Sequence, residues 1–311
     1  MQQILSRLKP YLRWIVLGGT LFFLISALKN NWQEVAAIRI AAWGWATLAI
    51  ALGVTLLAHI WSGWVWTWML EDFNQTVDIP QFVRVYLQTN IAKYLPGNVW
   101  HYYGRVTAAK TAGIPTTIAA LSVLLEPLLM AAAAIAFVLL GIQSAIAPSH
   151  IYLRILLIFG LAGVLLAIHP YWLNLAIRLL RQIKFKAATS IAKVNDIELC
   201  QIKRYPWRPL LGEMGFIGLR GTGFLLTFLA LMPLSIERIP LLFTAFSLAW
   251  VLGLIIPGAP GGLGVFEVTA ISLLQHSFSS GVVISAIALY RLISIIAETA
   301  GAGLALISRK F

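Results

Sequence analysis

Residues 254–274 of this chain read LIIPGAPGGLGVFEVTAISLL, an apolar segment interrupted at its centre by two prolines and four glycines. Proline removes a backbone donor and glycine weakens a helix, so a continuous membrane helix is not expected here. The pattern predicts a helix break around Pro257, Gly258 and Pro260. Backbone broken at membrane depth must be satisfied by protein or by a water-filled cavity. The break is therefore a candidate site, and Glu267 lies just beyond it.

A second segment, residues 90–105, reads NIAKYLPGNVWHYYGR and has a break of its own at Pro96 and Gly97. The surrounding region, residues 80–111, is only moderately apolar, and neither half has the ~20 apolar residues that a span needs. It is predicted to be a helical hairpin that enters the membrane from the cytoplasm and returns there. We expect the two broken segments to face each other in the membrane.

The composition is that of an all-α polytopic membrane protein. The chain is 60% hydrophobic and 11% charged, whereas about a quarter of the residues are charged in soluble domains. The net charge of +12 comes from basic residues clustered in a few loops. Such residues act as topology determinants beside anionic lipid, and nucleic-acid binding is not predicted. The single cysteine, Cys200, can form neither an internal disulfide nor a metal site by itself.

The apolar runs predict about six full spans within a single membrane domain, residues 1–311. The basic residues before the first run and after the last one place both termini in the cytoplasm. The longest polar stretch, residues 170–209, is predicted to be a basic cytoplasmic loop. The predicted spans are residues 14–28, 43–70, 118–141, 151–168, 210–232 and 281–307.

Topology then determines how the second hairpin is inserted. The last span must begin outside to end inside, so residues 241–278 begin and end outside. Residues 1–149 and 150–311 each read span, span, hairpin, span, in opposite orientations. This order is typical of inverted-topology repeats, which in transporters enclose a site at the midplane. The alternative is that both hairpins are full crossings, which would place each break at a membrane surface.

Three short motifs read KYLPGNVWHYYGR at residues 93–105, PGAPGGLGVFE at 257–267 and ALYRLISIIAE at 288–298. Together they resemble the membrane region of the bacterial lysylphosphatidylglycerol synthetase/flippase family, over nearly the whole chain. Members with both activities also carry a soluble domain that transfers lysine from its tRNA to phosphatidylglycerol, and we expect a stand-alone form without it. The resemblance implies a lipid-handling membrane part, associated in the family with moving aminoacylated lipid to the outer leaflet.

The two hairpin tips form the predicted binding site. A helix that begins at a break deep in the membrane points free N–H groups and the positive end of its dipole at that point. Asn98 is a plausible N-cap for the returning helix of the first hairpin. Gly261 and Gly262 are expected to leave N–H groups bare at the second tip. The alternative is that proline and glycine serve only packing and turning.

Charged side chains near the first tip strengthen this prediction. His101 and Arg105 are four residues apart and share a helix face, and Lys93 lies just before the break. Together with two helix starts, these side chains would suit a lipid phosphate.

Ionisable residues inside the spans form a second group of candidates. A charge at the bilayer centre costs on the order of 3 kcal/mol or more, so such residues usually face a cavity and pair up. Arg291 and Glu298 lie on one stripe of the last span, and they are predicted, with Glu267, to line a cavity. A purely structural ion pair is the alternative. Glu213, near the cytoplasmic end of its span, is predicted to be interfacial.

These observations predict a lipid translocase, or a lipid-binding transporter, of the bacterial inner membrane. Its substrate would be a phospholipid, aminoacylated or not, or a lipid-linked intermediate. No nucleophile arrangement is visible, so the chain is not predicted to be an enzyme or to hold a metal or cofactor. The main alternative is a non-transporting partner of a membrane-bound lipid synthase or glycosyltransferase, docked through residues 170–209. An intramembrane transferase is a third hypothesis, and an oligomer is compatible with the sequence.

Overall fold

The computed structural model describes residues 29–95, 99–145, 151–175, 204–256 and 259–308, and within these ranges every regular element is a helix. Three of these elements are short 3₁₀ turns: Ile91–Tyr94 and Pro260–Gly262 at the hairpin tips, and Ile236–Arg238. The α-helices are α1 (Trp32–Ala37), α2 (Ala42–Asp72), α3 (Ile79–Asn90), α4 (Trp100–Thr111), α5 (Thr116–Ala145), α6 (Ile151–Ala167), α7 (Trp207–Leu231), α8 (Ile239–Ile255), α9 (Val265–Leu274) and α10 (Ser280–Ile307).

Among the described residues, five segments are long and apolar enough to cross a membrane: α2, Thr116–Gly141 of α5, α7, Ile236–Ile255 with α8, and α10. The prediction of an all-α polytopic membrane protein is therefore confirmed. Helix α6 has 17 residues and falls in the class of shorter apolar helices. The predicted first span, residues 14–28, lies outside the described residues, as do residues 176–203 of the basic loop.

The first hairpin consists of α3, the 3₁₀ turn Ile91–Tyr94 and α4. Each of its two helices has 12 residues. At a rise of 1.5 Å per residue such a helix is about 18 Å long, well short of a hydrocarbon core of roughly 30 Å. The first hairpin is therefore too short for either arm to cross alone. The break at Pro96 and Gly97 lies outside the described residues.

The second hairpin consists of α8, the 3₁₀ turn Pro260–Gly262 and α9, and it is asymmetric. Helix α8 has 17 residues and reaches span length with the turn before it, whereas α9 has only 10. The break between them depends on glycine: Gly261, Gly262 and Gly264 have φ of 60°, 71° and 86°. L-residues with a side chain rarely adopt this region, so the glycine run allows the turn that the sequence predicted.

The two tips meet, as expected. A Cβ atom added to Gly261 would lie 2.9 Å from the Tyr94 ring, which shows how closely the first tip packs on the second. Gly262 in turn packs on the backbone of Gly253 in α8, where an added Cβ would lie 3.3 Å from the Gly253 Cα. The inverted repeat, with halves 1–149 and 150–311, stays a prediction.

Two apolar cores flank this junction. One surrounds the second hairpin, where Phe224 packs against Phe246, Phe266 and Tyr290 with ring centroids 5.6, 5.9 and 5.3 Å away. Aromatic pairs of this kind each contribute about 0.5–1.5 kcal/mol beyond burial. The other core lies between α2, α5 and the first hairpin and includes the fully buried Trp66. The cores fix the two hairpins independently and leave a polar cavity between them.

Candidate functional site

A central cavity lies where the two hairpin tips meet α2, α5, α7 and α10. It encloses about 820 Å³ of atom-free space, a volume that includes open solvent at its mouth. Its charged lining is unusual for a membrane protein interior, because burying charge in an apolar medium is costly. The charged side chains of the lining are Lys93, Arg105, Glu126, Arg220, Arg291 and Glu298.

Helix α10 holds both tips from one face. Arg291 and Glu298 are seven residues apart, which is two helical turns, so their side chains lie on one stripe. Glu298 is buried, and its Oε1 accepts a hydrogen bond from Lys93 Nζ of the first tip at 2.6 Å. Arg291 donates to the second tip. The last helix thus connects two segments that are far apart in the sequence.

The second tip is closed by Arg291 and Glu267 together. Arg291 pairs with Glu267 and donates to the carbonyl oxygens of Gly261 and Gly262 at 3.3 and 3.0 Å. The other Glu267 oxygen accepts from the Gly264 N–H at 2.6 Å, at the start of α9. Glu267 therefore lies behind Arg291 and satisfies the broken backbone, and it is not part of the cavity lining.

A second buried network lies on the side of the cavity formed by the first hairpin. Arg105 of α4 pairs with Glu126 of α5, and its guanidinium lies 3.6 Å from the centroid of the Tyr86 ring. Tyr86 donates to the other Glu126 oxygen at 2.7 Å, and Ser62 lies 2.7 Å from the Tyr86 hydroxyl. All four side chains are buried, so the network fixes α4 against α2 and α5.

Arg220 of α7 and His59 of α2 complete the site. His59 Nε2 lies 3.2 Å from Arg220 Nη1 and 3.2 Å from Glu298 Oε1. One imidazole nitrogen can accept from arginine or donate to the carboxylate, so it cannot satisfy both at once. His59 Nδ1 lies 3.3 Å from the Asn90 side-chain nitrogen. The imidazole thus joins α2 to the first hairpin, α7 and α10.

The cavity brings together most of the residues predicted from the sequence. Glu267 is joined to the cavity only through its ion pair with Arg291. Asn98 lies outside the described residues. Of the predicted break residues, Pro96, Gly97, Pro257 and Gly258 also lie outside them, and Pro260 begins the second 3₁₀ turn. The predicted binding residues that line the cavity are Lys93, His101, Arg105, Gly261, Gly262, Arg291 and Glu298.

Two details of the sequence prediction are wrong. The N–H of Gly262 is not bare, because it donates to the Ala259 carbonyl at 2.9 Å within the tight turn. Glu267 was predicted to line the cavity, but it lies outside the lining, because its carboxylate bonds Arg291 and the Gly264 N–H at the second tip.

Glu213 is a third correction. It was expected at the interface, but it is fully buried and neither carboxylate oxygen has a hydrogen-bond partner among the described residues. The reason is that α7 begins at Trp207, so Glu213 lies two turns inside the helix, where α7 packs on α2. The neighbouring Gly212 shows this packing: an added Cβ would lie 2.6 Å from Val65 of α2.

Sequence reasoning missed His59 and Tyr86 as cavity residues. Arg220 and Glu126 were recognised as charges within apolar spans, which usually face an interior, but they were not assigned to the binding site, and both line the cavity. His59 and Tyr86 gave no such signal, because a single histidine or tyrosine in a span is as often a packing residue. No group of three potential metal ligands occurs in the part of the chain that the structure describes.

Comparison with known proteins agrees with this architecture. The family model described as "Lysylphosphatidylglycerol synthase TM region" matches residues 12–301, nearly the whole chain. A search of curated proteins gave no match.

Proposed function

The chain belongs to the lysylphosphatidylglycerol synthase family, as its membrane region, and from that premise we propose that it moves a lipid between the leaflets of a membrane. The lipid headgroup would bind in the central cavity while the acyl tails stay in the bilayer. The proposal covers a phospholipid, aminoacylated or not, or a lipid-linked intermediate. It involves no covalent change in the lipid, so the chain would act as a transporter and not as an enzyme.

One observation carries this proposal: a cavity rich in charge lies between two broken hairpins in an otherwise apolar protein. Desolvating these side chains is unfavourable unless pairing or a polar ligand offsets it. Broken helices around a polar site are typical of transporters, because they allow a ligand to be released towards either side. The zwitterionic or anionic headgroup of a lipid has the polarity that such a cavity would accept.

The movement would involve the attachments of the tips to α10. The first tip is attached through one carboxylate, Glu298, which pairs with Lys93 and also interacts with Tyr94, and the second by the several bonds of Arg291. We infer that the first tip moves more easily, since fewer bonds must be broken. Release of Lys93 would open the cavity on the side of the first hairpin while the second tip stays in place.

We further propose that the protein resides in the bacterial inner membrane with both termini in the cytoplasm. The support is the excess of basic residues near both ends and in residues 170–209. Reporter fusions at each terminus test this orientation. A reporter that is active only outside the cytoplasm should be silent at both ends, and activity at either end would contradict the orientation.

Leaflet exchange in proteoliposomes tests the transport proposal. Fluorescent phosphatidylglycerol, its lysyl ester and a lipid-linked sugar would be placed in vesicles with purified protein, and exchange would be read by quenching of the outer leaflet. The wild type should accelerate exchange of at least one of these lipids without altering its mass. A double variant, Arg291→Ala with Glu267→Ala, should lose the activity, because it frees the second tip without leaving one charge unpaired.

The control is Arg208→Ala, which breaks an exposed pair with Glu71 far from the cavity and should exchange lipid like the wild type. Folded protein that exchanges none of these lipids would contradict transport and favour the role of a partner for a lipid- or glycan-synthesising enzyme. Turnover of a labelled lipid-linked donor by the purified protein would instead favour an intramembrane transferase.

A further inference from the structure

Arg220 is a buried cation that forms no direct ion pair among the described residues. Its side chain lines the central cavity, is 1% exposed, and has no carboxylate oxygen within 4.0 Å in that part of the chain. Its Nε has no hydrogen-bond partner there either, and its Nη1 lies 3.2 Å from His59 Nε2. The rings of Trp250 and Tyr290 lie 5.1 Å from the guanidinium, on the cavity wall. A buried charge of this kind is stabilised when a ligand supplies the counter-charge.

The other cations of the cavity are already paired. Arg105 pairs with Glu126, Lys93 with Glu298, and Arg291 with Glu267. Of the four cations that line the cavity, Arg220 is therefore the one without an ion pair among the described residues.

Glu213 does not supply the missing counter-charge. It lies two turns before Arg220 on α7, and the charged groups that act on it are Glu126 and Arg105. Glu298 acts on Arg220 at longer range, across His59, so a ligand in the cavity can still pair directly with the guanidinium.

A hydrogen-bond acceptor lies beside this cation. Arg220 Nη1 and Glu298 Oε1 both contact His59 Nε2 at 3.2 Å, so the two side chains flank one imidazole. The second Glu298 oxygen, Oε2, has no hydrogen-bond partner among the described residues. A guanidinium binds a phosphate through two parallel N–H donors, and a carboxylate oxygen accepts from a hydroxyl. A ligand that carries a phosphate next to a hydroxyl would satisfy both groups.

Resting on the proposed function, we propose that the central cavity selects lipids with an anionic, hydroxyl-bearing phosphate headgroup, of the phosphoglycerol or phospho-sugar kind. Arg220 would bind the phosphate, and Glu298 Oε2 would accept a hydrogen bond from a headgroup hydroxyl. A lysyl ester would bring additional ammonium groups next to Lys93 and Arg220. Like charges repel strongly in a medium of low dielectric, so the aminoacylated headgroup should bind more weakly.

Binding to purified protein in detergent tests this selection separately from transport. Short-chain phosphatidylglycerol, its lysyl ester and phosphatidylcholine would be compared with inorganic phosphate and glycerol phosphate, to separate lipid recognition from binding of a free phosphate. The variants are Arg220→Gln, Arg220→Lys and, as the matched control for loss of one positive charge, Arg238→Gln on an exposed loop. Gel filtration and thermal unfolding would establish that each variant is folded.

Wild type should bind phosphatidylglycerol roughly tenfold more tightly than the lysyl ester, because the ammonium groups of the ester meet the like charges of Lys93 and Arg220. Arg220→Gln should lose most of this preference, Arg220→Lys should retain part of it, and Arg238→Gln should behave as wild type. Equal affinity for both lipids, tighter binding of the lysyl ester, or an unchanged Arg220→Gln would overturn the inference. Inorganic phosphate binding as tightly as the lipid would overturn it as well.

The inference and the transport proposal fail in different ways. If Arg220→Gln does not fold, the wild-type comparison of the lipids still decides the inference. A clear preference for phosphatidylglycerol without any leaflet exchange would support the binding site and contradict transport. Exchange that is equally fast for phosphatidylglycerol and its lysyl ester would support transport and overturn the selection.

Discussion

The two hairpin tips meet in one cavity, but α10 holds them in different ways. At the second tip the carbonyl oxygens of Gly261 and Gly262 and the N–H of Gly264 are all bonded to Arg291 or Glu267. At the first tip the attachment to α10 runs through one carboxylate, Glu298, which accepts from Lys93 and also interacts with Tyr94. The second tip is therefore held by more bonds, and the first tip is the more easily released part. Helix α10 can thus hold the second hairpin in place while its contact with the first hairpin breaks.

The largest effect is expected at the second tip. Arg291→Met should lower the free energy of unfolding by about 3–5 kcal/mol, because it leaves the Glu267 carboxylate buried without its partner. Reversible unfolding in mixed micelles, followed by helical circular dichroism, measures this. Adding Glu267→Gln should restore part of the loss, since no uncompensated charge then remains. A loss no larger than that of Arg84→Met, which removes a peripheral bond to the Ser308 carbonyl, would contradict a firmly held second tip.

A smaller effect is expected at the first tip. Lys93→Met should cost about 1.5–3 kcal/mol, the usual value of a hydrogen bond to a charged group, because Glu298 keeps its contact with His59. The same unfolding measurement, extended to Glu298→Gln and the double variant, gives the coupling energy of the pair. If Lys93→Met destabilises the protein more than Arg291→Met, the proposed difference between the tips is reversed.

Backbone geometry at the second tip gives a third test. Gly261→Ala should cost about 1–2 kcal/mol, because its φ of 60° is unfavourable for a residue with Cβ and that Cβ would lie 2.9 Å from the Tyr94 ring. Gly303→Ala in α10 is the matched control, since its Cβ would meet open space in a helix, and it should be neutral or slightly stabilising. Thermal unfolding of both variants measures this difference in stability. Equal behaviour would mean that the tips do not pack as described.

The smallest effect is expected outside the cavity. The pair of Arg208 and Glu71 has side chains 59% and 37% exposed. Exposed pairs of this kind contribute about 0–1 kcal/mol, so Arg208→Ala should change the unfolding free energy by no more than that. This change in unfolding free energy is the reference for the buried pairs at the tips. A change as large as that of Lys93→Met would contradict a larger contribution of the buried pairs to stability.

Local chemistry made part of this arrangement predictable. Proline and glycine constrain the backbone where they stand, so the breaks near Pro260 could be predicted without knowledge of any neighbour. The spacing of Arg291 and Glu298 placed both on one stripe of α10 in the same way. Charges in apolar spans could likewise be assigned to an interior, since lipid does not accept them.

The sequence could not predict which side chains pair across the cavity, because the pairing depends on how the helices pack. Lys93 and Glu298 are 205 residues apart, and nothing in the periodicity of either helix specifies that they meet. Glu213 was misplaced for the same reason, since its burial comes from the close contact of α7 with α2. The N–H of Gly262 was expected to be free, but within the tight turn it donates to the Ala259 carbonyl. The number of glycines alone does not indicate this hydrogen bond.

The central claim is that the lipid headgroup occupies the cavity between the tips. Photocrosslinking of a lipid to the protein tests this claim most directly. Phosphatidylglycerol carrying a diazirine on its headgroup would be irradiated with the protein in nanodiscs, and the adducts mapped by peptide mass spectrometry. A lipid with the diazirine at the end of a tail is the control. Headgroup adducts are predicted on Lys93, Tyr94 and Trp250 of the cavity lining, with tail adducts on outward residues such as Leu292. Headgroup adducts confined to loops and outward faces would contradict the account.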